Sequence, residues 1–259
     1  MITSAHNPRI KWLKGLQSSS RQRRAEGVCV IEGVRLAEEA LAAGWPARLV
    51  LYGEAVSPRG QAVVDGFAAR GAEVEAAAEH VLQAAADTDS PQGLVVALEA
   101  RPLPLPERLG FVLLADRMRD PGNLGAMVRT AAAAGMDGVI CPPETVDAFS
   151  PKVLRAGMGA HFRLPVWPLG WDEIERRLSG LAVFIAAAGE GPAYDRADLI
   201  QPLALVLGGE AEGVGEQARR LATSPLHIPM PGGSESLNAA VAAGILIFEA
   251  VRQRRSKTT

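Results

Sequence analysis

Three loops in the last third of the chain carry the residue types with the clearest chemical potential. The first, GGEAEGVG (residues 208–215), follows an apolar run at residues 203–207. The second, PMPGG (residues 229–233), follows a run at residues 226–228, and the third, SESLN (residues 234–238), precedes an Ala-rich segment. Short apolar runs bounded by Gly or Pro predict buried strands, and the Ala-rich segment is long enough to predict a helix.

Loops of this composition favour ligand binding through the main chain. Glycine permits positive φ and lets a ligand approach the backbone closely. Ligands of open α/β sheets bind at the carboxyl ends of strands. Ser234 or Ser236 is expected to cap the last helix and to leave free N–H groups for a polar ligand. Each loop alone is equally typical of an ordinary turn, but three in series favour a binding site.

Asn123 and Arg129 are the other polar residues placed near a predicted strand end. A turn-rich loop at residues 116–122 follows a predicted strand at 111–115, and Asn123 is expected to cap a helix that ends at Ala134. The two residues are six apart and do not share a helix face by strict spacing. Asn123 can still reach a ligand at the strand ends. Arg129 points elsewhere from the same helix, and taken alone it is more typical of a structural residue that packs its stem and pairs with a carboxylate.

The elements around these loops predict an α/β protein with two domains. Further predicted strands at residues 138–141, 164–166 and 181–186 alternate with helices, which predicts a largely parallel sheet. Residues 1–100 show the same alternation on a smaller scale, with a helix predicted at 76–86. Between the two domains lies the linker RPLPLP (101–106), which excludes helix and interior strand.

The predicted domains are therefore 1–100 and 107–259, joined by the linker 101–106.

The composition is that of a folded protein whose basic residues lie at its ends. The chain has 259 residues, is 48% hydrophobic and 22% charged, and has a net charge of −2. Six basic residues precede the first acidic one, Glu26: Arg9, Lys11, Lys14, Arg21, Arg23 and Arg24. Four more close the chain: Arg252, Arg254, Arg255 and Lys257. Basic ends suit phosphate contact, although they are equally typical of solvated termini.

No pattern in the sequence predicts a metal site, a disulfide or a membrane segment. Cys29 and Cys141 lie in apolar runs and are expected to be small buried residues, and the four histidines lack metal-ligand spacing. The chain starts with no apolar segment typical of a signal peptide. The longest apolar segment, residues 239–248, is too short to span a bilayer. A cytoplasmic protein is expected.

Three motifs resemble those of the SpoU (TrmH-like) RNA 2′-O-ribose methyltransferases, in the SPOUT superfamily. The first is DRMRDPGNLGAMVRTA (116–131), the second LVLGGEAEG (205–213), and the third combines IPM (228–230) with SLNAAVA (236–242). Residues 30–40, VIEGVRLAEEA, resemble the RNA-substrate-binding domain of this family, which is similar to an L30e-type ribosomal fold. The resemblance covers nearly the whole chain.

This resemblance implies an L30e-like N-terminal α/β domain and a SPOUT-type catalytic domain with a parallel sheet and a C-terminal trefoil knot. It implies a homodimer with the active site near the subunit interface. It also implies S-adenosylmethionine as cofactor, held mainly by backbone groups. The implied cofactor contacts are Leu207, Gly208, Gly213, Ile228, Met230 and Leu237.

The resemblance further implies five catalytic positions: Asn123, Arg129, Glu210, Ser236 and Asn238. Arg129 is expected to orient a substrate phosphate and the hydroxyl, because arginine, with a pKa above ~12, is an unlikely base. The expected RNA contacts are Arg9, Lys11, Arg21, Arg23, Arg24 and Arg35. The N-terminal domain favours ribosomal RNA of the 23S type as the substrate.

Two departures and several alternatives remain open. Ala239-Ala240 stand where the third motif commonly continues as SLNVS, and Glu235 would either repel phosphate or pair with Arg129. A tRNA 2′-O-methyltransferase and a non-catalytic RNA- or ribosome-binding protein are the competing functions. A nucleotide-binding oxidoreductase is disfavoured, because no GxGxxG opens the first βα turn of either domain.

Overall fold

The structure, a computed structural model, describes residues 1–86, 93–210 and 212–257. Ala211, within the second motif, lies outside the described residues. In chain order, the elements up to residue 101 are α1 (Pro8–Ser18), α2 (Ser20–Glu26), β1 (Val28–Glu32), α3 (Val34–Ala42), β2 (Ala47–Gly53), α4 (Pro58–Ala68), β3 (Glu73–Ala77), α5 (Glu79–Ala85) and β4 (Leu94–Glu99). Those that follow are β5 (Phe111–Asp116), α6 (Pro121–Ala133), β6 (Gly138–Cys141), α7 (Pro151–Gly157), β7 (Val166–Pro168), α8 (Trp171–Leu178), β8 (Ala182–Ala186), β9 (Leu203–Gly208), α9 (Glu216–Leu221), β10 (Ser224–Leu226) and α10 (Ala239–Lys257).

The residue contacts divide the chain into two units. The first unit comprises Met1–Arg101 and Phe149–Phe162, and the second comprises Pro102–Ala148 and Arg163–Thr259. The first division falls at the start of the predicted proline-rich linker. The segment Phe149–Phe162, which contains α7, belongs to the first unit although it lies between strands of the second. No pattern in the sequence predicted that this segment would pack with the first unit.

The first unit is built on a four-stranded mixed sheet of order β1-β4-β2-β3. Strand β4 runs antiparallel to both β1 and β2, while β2 and β3 are parallel. Helices α1 and α5 bury apolar side chains in one core with β1, β2 and β4, among them Ile10, Leu13, Leu16 and Leu82. The predicted helix at 76–86 starts too early, because residues up to Ala77 pair with β2. The prediction of a small α/β unit is confirmed.

The second unit is built on six parallel strands of order β10-β8-β9-β5-β6-β7. The predicted parallel sheet is therefore confirmed. Leu105 and Leu109, from the proline-rich segment and the residues after it, are buried in this unit's core. The Trp167 indole N–H donates to the Leu103 carbonyl at 2.6 Å, which holds the segment against β7.

Both of the helix caps predicted near the site are wrong, whereas Ser57 and Ser150 cap α4 and α7 through their side-chain oxygens. Asn123 was expected to cap α6, but the Asp120 carboxylate accepts the Asn123 N–H at 2.7 Å, so the helix starts at Pro121. Ser234 and Ser236 were expected to cap α10, but Asn238 occupies that position, as described below. The Asn123 side chain is therefore free for other partners.

Candidate active site

A cavity of about 380 Å³ lies at the carboxyl ends of β8, β9 and β10. Its walls come from the residues that directly follow these three strands and from the start of α10. Strand β10 ends at Leu226, two residues before the end of the predicted strand, so His227 and Ile228 belong to the loop. Parallel strands present their following loops at one edge of the sheet, which is where ligands of such sheets bind.

All six residues expected to contact the cofactor line this one cavity: Leu207, Gly208, Gly213, Ile228, Met230 and Leu237. The structure therefore brings together positions that are up to 30 residues apart in the chain. Ala186, His227 and Leu246 also line the cavity and were missed. Ala186 had a usable signal, since it ends a predicted strand beside β9. His227 and Leu246 had none.

Gly208 permits the loop after β9 to fold back against its own strand. A Cβ atom at Gly208 would lie 2.1 Å from the Gly213 carbonyl carbon and 2.3 Å from the Val214 nitrogen. The Gly213 N–H donates to the Gly209 carbonyl at 3.0 Å, with Gly213 at φ +63°. Only glycine at position 208 leaves room for this fold. The β9–α9 loop (residues 209–215, described except for residue 211) is thereby brought to the cavity.

A chain of side-chain hydrogen bonds joins the three motifs. The Asn123 amide donates to the Glu210 carboxylate. Asn238 donates through Nδ2 to Asn123 Oδ1 at 2.9 Å. Asn238 Oδ1 accepts the N–H groups of Ala240 at 2.9 Å and Val241 at 3.2 Å, and so caps α10. Three of the five expected catalytic positions therefore form one connected group.

The other two expected catalytic positions are exposed. Ser236 lines the cavity, and residues 231–238 are all exposed. Arg129 lies on the exposed side of α6, and within residues 1–86, 93–210 and 212–257 its guanidinium has no hydrogen bond or ion pair. It does not pair with Glu235 in this part of the chain, so one of the two open possibilities for Glu235 is not realised. A cation without a protein partner can contact a substrate phosphate.

Asp116, the last residue of β5, is a buried carboxyl beside this site. Its Oδ2 accepts the Gly215 N–H at 2.6 Å, while Oδ1 has no partner within the described residues. Burial raises the pKa of Asp116, and the hydrogen bond from Gly215 and the charge of Arg117 act in the opposite direction. Arg117 pairs in turn with Glu144 at 3.6 Å and with Glu212 at 3.2 Å.

Of the six basic residues expected to contact RNA, two are held by other groups of the protein and four are exposed without an ion pair in the described residues. Arg23 is buried and donates to the carbonyls of Leu16 and Gln17, so the prediction that it contacts RNA is wrong. Arg9 is held by the carboxylates of Glu73 and Glu75. The remaining four are exposed and have no ion pair within the described residues: Lys11, Arg21, Arg24 and Arg35.

The described residues contain no cluster of three or more His, Cys, Asp or Glu side chains that could hold a metal ion. Both cysteines are buried thiols, and burial raises the pKa of Cys141 to about 12. Among the helices of the described chain, none combines the length and the apolar character needed to cross a bilayer.

The chain belongs to the SpoU rRNA Methylase family, whose sequence profile matches residues 110–248. A second profile, that of the MRM3-like substrate binding domain, matches residues 7–96. The family inferred from the three motifs is thereby confirmed, together with the predicted class of enzyme.

Similar proteins extend the match over almost the whole chain. The 23S rRNA (guanosine(2553)-2'-O)-methyltransferase RlmP of Bacillus subtilis is 33% identical over 255 residues, or 95% of this chain and 97% of RlmP. The SpoU methyltransferase AviRb of Streptomyces viridochromogenes, in complex with AdoMet, has a TM-score of 0.85 at 30% identity and covers 96% of this chain and 100% of its own. An AdoMet-bound rRNA methyltransferase of Sinorhizobium meliloti has a TM-score of 0.86 at 34% identity, with 97% of each chain covered.

Proposed function

We propose that this protein transfers a methyl group from S-adenosylmethionine to a ribose 2′-hydroxyl of ribosomal RNA, of the 23S type. The observation that carries this proposal is that the second and third motifs line one cavity, while Asn123 of the first motif is hydrogen-bonded to two residues of its wall. Six residues expected to hold the cofactor line it, and the Glu210–Asn123–Asn238 chain of hydrogen bonds lies at its rim.

The cavity suits S-adenosylmethionine in size and chemistry. Its volume of about 380 Å³ lies within the range of roughly 300–1,000 Å³ typical of small-molecule sites. Leu207, Ile228 and Leu246 offer apolar surface for a purine, and the glycines expose main-chain groups for its polar edge. When bound, S-adenosylmethionine supplies a methyl group on a sulfonium, which a ribose oxygen can attack.

The residues of the chain contribute orientation and charge. Arg129 binds a phosphate next to the reacting ribose and screens the negative charge that develops on the 2′-oxygen. In this proposal the ribose is contacted by Glu210, which accepts a hydrogen bond from Asn123, and by Ser236 at the rim. Holding the hydroxyl in line with the methyl group supplies a large part of the rate enhancement, because alignment removes an entropic barrier.

Methyl transfer by the wild type, Arg129→Ala and Arg108→Ala tests this function. Arg108 is also exposed but precedes β5, at the opposite end of the sheet from the cavity. Labelled methyl from S-adenosylmethionine should enter one RNA, in total RNA from a strain lacking the gene, at a linkage that alkali does not cleave.

We expect Arg129→Ala to lower the rate by about 100-fold or more while cofactor affinity stays unchanged, and Arg108→Ala to behave as wild type. Tight RNA binding without transfer by the wild type would favour a non-catalytic RNA-binding protein. Label in tRNA would favour the tRNA enzyme.

A homodimer through α10 is part of the proposal. Val241 and Phe248 are 51% and 49% exposed, and with Ile245 they form one apolar face next to the exposed loop 231–238. The space beside Gly244 is open on the same face. Large exposed apolar patches mark interaction sites, and a two-fold axis would pair this patch with its own copy. The loop that carries Ser236 would then lie near the subunit interface.

The mass of the protein in solution tests the dimer. Light scattering should give twice the chain mass of 27.2 kDa for the wild type and the chain mass for Phe248→Glu. Lys257→Glu, a charge change at the end of the same helix, should leave the dimer intact. A wild-type monomer, or a dimeric Phe248→Glu variant, would contradict the proposed interface.

A trefoil knot around the cavity is also part of the proposal. Strand β9 lies between β8 and β5, and α10, which follows the edge strand β10, returns to pack on β9 and α6. An experimental density map traced through residues 186–257 tests it. We expect the chain after β10 to pass through the loop formed by the residues before β10, and an unthreaded trace would reject the knot.

We further propose that the protein acts in the cytoplasm. Cys29 and Cys141 are both buried thiols outside any disulfide, as is usual for proteins of reducing compartments. Fractionation of the source cells, followed by detection of the protein, tests this. Recovery in a membrane or extracellular fraction would contradict it.

A further inference from the structure

We propose that Asp116 is a positioning residue for the β9–α9 loop, which carries Glu210 and Gly213 to the cavity. The inference rests on the proposed function for the identity of the ligand, but the contacts that support it are all within the protein. Asp116 belongs to the first motif and Gly215 follows the second, 99 residues later, so the contact joins two distant segments.

Both ends of the β9–α9 loop rest on Asp116 and its neighbour Arg117. At one end, the buried Gly215 N–H donates to Asp116 Oδ2 at 2.6 Å. At the other, Gly209 packs on the Arg117 carbonyl so closely that a Cβ atom would lie 2.3 Å from its oxygen. The described residues of the loop therefore follow a path fixed by the end of β5.

The middle of the loop is attached to the same residues. The Arg117 guanidinium donates to Glu212 at 3.2 Å, and Arg119 adds a second contact to the same carboxylate at 3.1 Å. Arg117 adopts φ +52°, a conformation that residues other than glycine rarely adopt. Such a conformation persists only where the surroundings hold it in place, which indicates that the contacts of Arg117 are specific.

Of these attachments, the Asp116 hydrogen bond is the one the loop depends on most. The pairs of Arg117 and Arg119 with Glu212 reach solvent, with 62% of the Arg119 side chain exposed, and such pairs contribute little. The Asp116–Gly215 bond is buried. Removing the carboxylate would leave a buried N–H without a partner, which is more costly than losing an exposed ion pair.

Asp116→Ala and Asp116→Asn separate positioning from general stability. The Asn side chain keeps an oxygen that can accept the Gly215 N–H, whereas Ala removes the acceptor. Asp137→Ala is the matched control, because the Asp137 carboxylate accepts the N–H groups of Gly110 and Phe111 at the opposite end of the same strand. Gly215→Ala disturbs the contact from the other side, since its Cβ would lie 3.1 Å from Asp116 Oδ2 and 2.9 Å from Arg117 Nε.

Two measurements are made on each full-length protein: calorimetric titration with S-adenosylmethionine, and amide hydrogen exchange of the peptide that contains residues 209–215, without cofactor. We expect Asp116→Ala to weaken cofactor binding about tenfold or more and to speed exchange in this peptide. Asp116→Asn should stay within about threefold of wild type. Asp137→Ala should change neither result. Should Asp116→Ala fail to fold, Gly215→Ala is expected to give the same loss.

The proposal is overturned if folded Asp116→Ala keeps wild-type affinity and exchange, or if Asp137→Ala weakens binding equally. It is also overturned if Asp116→Asn loses as much affinity as Asp116→Ala. Failure of the wild type to bind S-adenosylmethionine would instead contradict the proposed function. The exchange comparison, which needs no cofactor, would still decide the role of Asp116.

Discussion

Asn123 uses both the nitrogen and the oxygen of its side-chain amide, so the substitution Asn123→Asp tests both contacts. Its nitrogen donates to Glu210 and its oxygen accepts from Asn238. Asn123→Asp would put a second carboxylate against Glu210, and two adjacent like charges disfavour each other. We expect methyl transfer to fall by about tenfold or more, with the deficit larger at alkaline than at acidic pH. Equal rates for variant and wild type across the pH range would contradict a role for this chain of hydrogen bonds.

Asp116 also makes a testable contribution to stability. Its pKa is raised by burial, so the native state keeps the proton at pH values where the unfolded chain, with a pKa of ~3.9, has lost it. The unfolding free energy of the wild type relative to Asp116→Asn should be highest below about pH 4 and should fall as pH rises through the raised pKa. Arg117 and Glu144 are present in both proteins, so the difference isolates Asp116. Denaturant unfolding at several pH values measures this difference in unfolding free energy. A difference that does not change with pH would contradict a buried, ionisable Asp116.

Individual site residues differed in how well the sequence could predict them. The motifs placed all six expected cofactor contacts on one cavity, because a strand end and the loop after it are local features. Arg23 was wrongly predicted because its burial depends on how α2 packs. The contact of Asp116 with Gly215 was not predicted, because the two residues are 99 positions apart and hydrogen bonds at that separation leave no local pattern.

At the scale of elements, the sequence predicted most strands and helices but chose two caps wrongly. Both errors fall where several capping residue types lie within a few positions, as in the stretches around Asp120 and Ser236. Local preference cannot choose among them, and tertiary contacts decide. Asn238 caps α10 through its side-chain oxygen, and the tertiary contact of its side-chain nitrogen with Asn123 holds the amide in place.

Substitution of Gly208, at the end of β9, tests the conformation of the β9–α9 loop. Gly208→Ala would drive a methyl group into the backbone of residues 213 and 214, so we expect cofactor affinity to fall by about 100-fold or the protein to misfold. Gly232→Ala is the control, because nothing lies within 4 Å of a Cβ there, and we expect it to bind normally. Calorimetry on both variants distinguishes the two positions. Normal binding by Gly208→Ala would show that the loop can take another path.

Helix α10 is fastened near its end by one arginine. Arg254 donates to the carbonyls of Leu199, Gly110 and Gln201, and its guanidinium lies 4.2 Å from the centre of the Phe111 ring. We expect Arg254→Ala to lower the free energy of unfolding by about 1.5–3 kcal/mol. Arg252→Ala removes a pair with Glu249 from a guanidinium that is itself exposed, and it should cost less than Arg254→Ala. Urea unfolding compares them, and equal losses would contradict a special role for Arg254.

At the scale of the whole molecule, RNA affinity should depend on salt through the free cations of the first unit. Lys11→Gln, Arg21→Gln and Arg24→Gln should each reduce the slope of log affinity against log salt concentration by about 0.7–0.9. Arg9→Gln should change it less, since Glu73 and Glu75 already neutralise Arg9. Filter binding at several salt concentrations measures the slopes. If Arg9→Gln reduced the slope most, the surface formed by Lys11, Arg21 and Arg24 would not be the one that contacts RNA.

Because Phe149–Phe162 belongs to the first unit, the two units alternate along the chain, which limits how they can recombine. Helix α7, which packs against β1, is encoded between strands of the second unit. Neither unit therefore corresponds to one uninterrupted stretch of the gene. A recombination or cloning cut at residue 101 would strip β1 of the helix that covers it and leave α7 without its partner. The first unit therefore cannot be moved as one continuous segment, and we expect the two units to have been inherited and to have diverged together.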